Sequence, residues 1–102
     1  MFRKRHLWRF YQWKMNKLDT IFDVIQEMRE HFGWQETDTI DFIKQCIVEE
    51  SHELLNATDN IEMKHELADV LMYALTLTKL MDVDVLDIIN EKAKIVMKRS
   101  YD

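Results

Sequence analysis

The sequence predicts an all-α fold: four helices in a bundle completed by oligomerisation. Three observations predict it. One glycine and no proline among 102 residues leave too few turn residues for sheets and hairpins. Apolar residues recur at three- and four-residue spacing along most of the chain. The breaks between these periodic stretches carry helix-capping residues.

The first helix starts near Asn16, with Asp19 placed for a capping-box-like start, and carries Leu18, Ile21, Phe22, Ile25, Met28 and Phe32 on one face. Gly33, the single glycine, ends it in the left-handed conformation that glycine adopts freely. Trp34 to Asp38 is a short polar connection. The second helix begins around Thr37 or Asp38 and runs through Ile40, Ile43, Ile47, Leu54 and Leu55 to about Ala57. Thr58, Asp59 and Asn60 break it, and Asp59 with Glu62 caps a third helix that reaches about Met81. This third segment is the most apolar and is expected to be the most buried. Asp84 caps a fourth helix carrying Val85, Leu86, Ile88, Ile89, Ala93 and Val96, which turns basic at Lys92, Lys94, Lys98 and Arg99.

Residues 1–15 read as a basic, aromatic extension and 16–102 as the domain. The extension carries Phe2, Trp8, Phe10, Tyr11 and Trp13 among its bases. It fits a segment upstream of a start at Met15, or a helical arm packing on a partner subunit. The net charge of −5 is uneven. Residues 1–17 carry six bases and no acid, whereas 18–102 carry 8 basic and 19 acidic side chains. A body this acidic is a poor general binder of nucleic acid, and suits an anionic ligand that arrives with a divalent cation. Val70 to Thr78, the longest uncharged stretch near the acidic motif, is far short of the ~20 residues that span a bilayer. No signal peptide is visible, and a lone Cys46 excludes an internal disulfide, so the expected compartment is the cytoplasm.

The chemistry concentrates between Glu49 and Asp69. On the second helix, Ile40, Ile43, Ile47, Glu50 and Leu54 form one stripe; on the third, Glu66 and Asp69 adjoin Met63, Leu67, Val70, Ala74 and Leu77. Glu50/Glu53 and Glu66/Asp69 are i, i+3 pairs, so each pair shares a helical face. Carboxylates on a core-facing stripe are costly unless paired or bound to metal. Two of them ~4 Å apart repel by about 1 kcal/mol in water and ~4 kcal/mol at an effective dielectric of 20. Oxygen donors in this number suit Mg²⁺, with Mn²⁺ as a substitute. Glu49, beside the first donor, is placed to take a proton from an attacking water. A rival arrangement uses Glu49-x-x-His52 and Glu62-x-x-His65, the spacing of di-iron bundles, which lacks core-facing carboxylate partners on the outer helices.

Glu49-Glu50-x-x-Glu53, twelve intervening residues, and Glu66-x-x-Asp69 resemble the EExxE…ExxD signature of MazG-type all-α nucleotide pyrophosphohydrolases. The flanking IVEESHELLNA and HELADVLMYALTL are similar too, and the resemblance spans roughly residues 18–101. It implies a helical homodimer or homotetramer that hydrolyses a nucleoside triphosphate to the monophosphate and pyrophosphate with Mg²⁺, in nucleotide-pool housekeeping. It implies Glu50, Glu53, Glu66 and Asp69 as metal ligands. The dCTP pyrophosphatase-like branch also has aromatics where Trp34 and Tyr73 stand, which implies substrate contacts there. The chain departs from that branch at Gln35 to Asp38 and at Ile25, which replaces a substrate-contacting His. Of the basic C-terminal motif, Lys92 fits, Val96 replaces an Asn, and Arg99 and Tyr101 are out of register. Lys92 and Arg99 remain phosphate contacts by charge. Two other readings stay open: a phosphoribosyl-ATP pyrophosphohydrolase-like enzyme, and a non-catalytic helical oligomerisation module with a structural metal.

Overall fold

The computed structural model describes residues 16–99, so the extension at 1–15 and Tyr101 lie outside the described residues. Four α-helices follow one another: α1 (Lys17–Phe32), α2 (Ile40–Asn56), α3 (Asn60–Leu80) and α4 (Val85–Met97), with a 3₁₀ turn at Trp34–Glu36. The described residues contain no strand, and the fold class is all-α as the glycine and proline count predicts. The chain divides after Thr37 into two compact units.

In the first unit, Asn16 caps α1 by accepting from the Asp19 amide at 2.9 Å. Ile25 and Arg29, one turn apart, are its buried residues. Gly33 ends the helix at φ 70°, where its amide donates to the Arg29 and Glu30 carbonyls. A side chain at that φ would be strained, which gives the only glycine its role. Trp34 then stacks on Phe32, with centroids 4.7 Å apart and the rings 17° from parallel.

In the second unit, each helix begins on a side-chain cap. Thr39 Oγ1 accepts from the Phe42 amide at 3.1 Å, Asp59 Oδ1 from Glu62 at 2.8 Å, and Asp84 Oδ2 from Asp87 at 3.0 Å. The start of α2 is therefore Ile40, two or three residues later than the expected Thr37 or Asp38, because Thr39 supplies the cap. Only Ala57, Thr58 and Asp59 separate α2 from α3, and a link this short makes the two helices an antiparallel hairpin. At its far end, α3 closes with Asp82 in the left-handed region at φ 54°. The Asp82 amide donates to the Lys79 carbonyl and that of Val83 to Thr78, the paired bonds of a Schellman ending.

Helix α3 has the largest share of residues that are not exposed, as its apolar content predicts, but the most deeply buried side chains lie elsewhere. The fully buried apolar residues of the hairpin, Ile43 at 1% exposure and Cys46, belong to α2, and α3 buries only Thr76 to that degree. Met63 and Leu67 of the expected α3 stripe are exposed, whereas Val70, Ala74 and Leu77 are half-buried, and Glu66, Tyr73 and Thr76 join them on the less exposed side of the helix. The Thr76 hydroxyl donates to the Met72 carbonyl at 2.8 Å, which removes the cost of burying it. Helix α4 buries no residue and leaves Leu86 62% and Met97 76% exposed. Thirteen residues make a marginal helix without a packed face.

Candidate metal centre

The hairpin's register follows from the side chains that meet across it. Cys46 of α2 faces Tyr73 of α3 closely enough for each to shift the other's titration. One turn towards the Ala57–Asp59 link, Glu50 feels the charges of Glu53, Asp69 and Glu66. One turn nearer still, Glu53 and Glu66 interact by hydrogen bond and by charge. These layers step by three or four residues on each helix in opposite directions, as ridges of an antiparallel pair must. The same register puts Ile43 and Thr76, the two most buried residues of the pair, in the layer on the other side of Cys46 and Tyr73.

Glu50, Glu53 and Glu66 each bring a carboxylate oxygen to within 4.8 Å of the other two. Asp69 falls outside that triangle and acts on both Glu50 and Glu66 by charge. Burial pushes the Glu50 carboxyl up from 4.5 to about 7, and its three acidic neighbours push the same way. Glu66 is also raised, by burial first and then by a hydrogen bond and charge from Glu53. Glu50 Oε2 and Glu66 Oε2 are sheltered from solvent, and neither has a hydrogen-bond partner. A sheltered acceptor without a donor is costly. Carboxylates gathered this closely, two of which carry a sheltered oxygen without a partner, fit a hard divalent cation.

The remaining expected residues fall elsewhere. Glu49 is on α2 and exposed; its charge reaches Cys46. Tyr73 is half-buried, and burial together with the nearby Cys46 pushes its hydroxyl up to about 12. Trp34, 37% exposed, belongs to the first unit, where one face of its ring lies against Phe32. Lys92 on α4 and Arg99 beyond it are solvent-exposed. His52 and His65 are exposed with Glu49 and Glu62, so the Glu-x-x-His pairs do not line a bundle interior. Sequence reasoning used Cys46 only as a compartment marker, although it sits four residues before Glu50 on the same inward stripe. It also passed over Asp23 of α1, whose Oδ2 is a sheltered oxygen without a hydrogen-bond partner.

No helix among the described residues is long and apolar enough to cross a membrane. No curated protein and no solved structure matches the chain. One family model does, that of phosphoribosyl-ATP pyrophosphohydrolase, and it matches residues 15–94, which hold both acidic pairs and the whole hairpin. Its family lies within the all-α superfamily whose acidic signature the sequence resembles. On the strength of a match across most of its length, the chain belongs to the phosphoribosyl-ATP pyrophosphohydrolase family.

Proposed function

We propose that the protein releases pyrophosphate from the triphosphate group of a nucleotide, using a divalent cation held by Glu50, Glu53, Glu66 and Asp69. The observation that carries this reading is a cluster of three carboxylates with oxygens within 4.8 Å of one another, two of which, those of Glu50 and Glu66, also carry a sheltered oxygen without a hydrogen-bond partner. A site kept for stability alone would pair those oxygens with amides or bases. Mg²⁺ is the first candidate and Mn²⁺ the second, since both favour carboxylate oxygens. The chemistry such a cation supplies when bound is neutralisation of the polyphosphate and polarisation of the phosphoryl group.

The chain's own residues divide the remaining work. Glu50 and Glu66, raised by their surroundings, give up their protons as the site fills. Glu49, exposed one residue before the first ligand, accepts the proton of the attacking water. Lys92 and Arg99 supply positive charge to the phosphates.

The family match favours phosphoribosyl-ATP as substrate, and the same chemistry applies to any nucleoside triphosphate. The dCTP pyrophosphatase-like reading depends on Trp34 and Tyr73 as substrate contacts. Of these, Tyr73 is half-buried, while Trp34 keeps part of its ring open for stacking on a base. The exposed apolar residues of α4 support a homodimer or homotetramer, since such a face is stable when covered. Pyrophosphate release measured across phosphoribosyl-ATP and a panel of canonical triphosphates with Mg²⁺ tests the reading. Activity on phosphoribosyl-ATP alone selects the family substrate, and activity on common triphosphates selects the broader enzyme. No release from any of them, together with weak or absent stabilisation by Mg²⁺, leaves the non-catalytic module.

A further inference from the structure

We infer that Phe32 and Trp34 form a preassembled stacking platform for the base of a nucleotide, in which Phe32 is the positioning residue that holds the indole plane for the incoming ring. The identity of that ring rests on the nucleotide reading above. The platform itself rests on geometry within the first unit.

Three observations carry it. The first is the stack: the ring centroids are 4.7 Å apart and the planes 17° from parallel, an arrangement that a further flat ring can continue. The His31 ring stands 85° to Phe32, so it steadies the phenyl ring without lengthening the column. The indole is therefore the end at which a flat ring joins. The second is exposure. Phe32 is 56% exposed and Trp34 37%, although periodicity places Phe32 on the apolar face of α1. Rings that only close a helix turn their faces to the interior, whereas these keep open area that a ligand covers. The third is restraint. The rings flank Gly33, whose φ of 70° reverses the chain and brings them face to face. Beyond it, the Glu36 amide donates to the Gly33 carbonyl at 3.3 Å. The Thr37 amide and hydroxyl both donate to the Trp34 carbonyl, at 3.0 and 3.3 Å. The backbone is thus fixed on both sides of Trp34, and the stack on Phe32 limits the rotation left to its side chain.

A nucleobase has the chemistry this surface accepts. Its face is flat and apolar while its rim is polar, so it covers the indole and leaves its edges in water. Stacking of one base on an aromatic side chain is worth about 5–150-fold in affinity, and it tolerates any base because every base has a π-face. A platform already in place spares the ligand the entropy of ordering it, which is what Phe32 contributes without touching the base. A purine, with the larger face, covers the most indole and is the probe of choice.

The test is a nuclear magnetic resonance titration of the metal-free full chain with AMP. It is read at the Trp34 indole N–H, which Trp34→Phe identifies among the three tryptophans. AMP is expected to move that signal saturably, and ribose 5-phosphate, which has the sugar and phosphate without the ring, to leave it in place. Phe32→Leu should raise the AMP dissociation constant about tenfold. Phe32→Tyr, which keeps the ring, should hold it near the parental value. The relaxation of the Trp34 indole should report faster motion in Phe32→Leu and parental motion in Phe32→Tyr, a change that a loss of general stability would not confine to that ring. The parental titration decides the platform without any variant: a Trp34 signal that ignores AMP, or that ribose 5-phosphate moves as far, overturns it. A parental dissociation constant in Phe32→Leu overturns the positioning role. Pyrophosphate release with no AMP response overturns this inference alone. An AMP response with no pyrophosphate release from any nucleotide overturns the function proposed above alone.

Discussion

The two halves of the α2–α3 hairpin are built on opposite principles. Away from the connecting link, Ile43 is sealed at 1% exposure, Thr76 returns its hydroxyl to the Met72 carbonyl, and Cys46 is buried opposite Tyr73. Towards the link, the same two helices press Glu50, Glu53 and Glu66 together and leave two sheltered oxygens without partners. The first half lowers the energy of the fold. The second raises it, and does so where the first half has already fixed the spacing. Strain of this kind persists only when the surrounding structure over-determines it.

The largest effect that can break this comparison comes from the charged half. Glu53→Gln removes one ligand and one negative charge while keeping the side chain's size. Pyrophosphate release is expected to fall about 10³-fold, several kcal/mol of lost charge stabilisation. The metal-free protein should melt no lower than the parent, because a repulsive neighbour of Glu50 and Glu66 is gone. Loss of activity together with loss of folding would mean that both halves are structural. The measurement is a pyrophosphate assay beside calorimetry without metal.

The closed half predicts the reverse. Ile43→Ala opens a cavity in the most buried layer and should destabilise the protein by about 2–5 kcal/mol. Denaturant unfolding gives the number, with an unchanged m-value expected. A cost well below 1 kcal/mol would show that the hairpin has no fixed interior at Ile43, and the contrast between halves would fail.

A smaller effect separates the halves by pH. Glu50 titrates near 7 in the folded chain against 4.5 when unexposed to its neighbours. A folded value above the unfolded one gives a contribution fully present below about pH 4.5 and lost as pH rises through about 7. Metal-free protein should therefore lose a few degrees of melting temperature between those limits, a modest change because the carboxyl is only partly buried. Saturating Mg²⁺ should reverse the sign, since the cation binds the ionised form and binds it better as pH rises. The same slope with and without Mg²⁺ would place the cation somewhere other than Glu50.

How much of this could be read from residues alone differs between the same two halves. Glu50, Glu53 and Glu66 were readable because three-residue spacing puts like charges on a helical face beside apolar neighbours, a pattern that local geometry fixes. Asn16, Gly33, Asp59 and Asp84 were readable for the same reason, since a cap acts within one turn. The inward face of α3 was not. Its hydropathy is high on every side, so Met63 and Leu67 looked as buried as Thr76, and only the pairing with α2 decides between them. The apposition of Tyr73 and Cys46 was hidden for that reason too, because it brings together residues 27 positions apart. Trp34 matched a family position, but its stacking on Phe32 depends on the left-handed turn at Gly33 between them.

The smallest effect tests the link that joins the halves. Asp59 caps α3 through the Glu62 amide at 2.8 Å and stands seven residues before Glu66. Asp59→Ala should cost about 1 kcal/mol of stability, while Asp59→Asn, which keeps the accepting oxygen, should cost a few tenths. Neither variant should change the metal affinity of the folded protein, because the cap lies about two turns from the nearest ligand. If Asp59→Ala weakens Mn²⁺ binding about tenfold, the turn and not the packing around Ile43 sets the carboxylate spacing. The register would then be imposed from the charged end. Equal stability losses in Asp59→Ala and Asp59→Asn would instead show that charge at the start of α3, and not the hydrogen bond, is what the cap contributes.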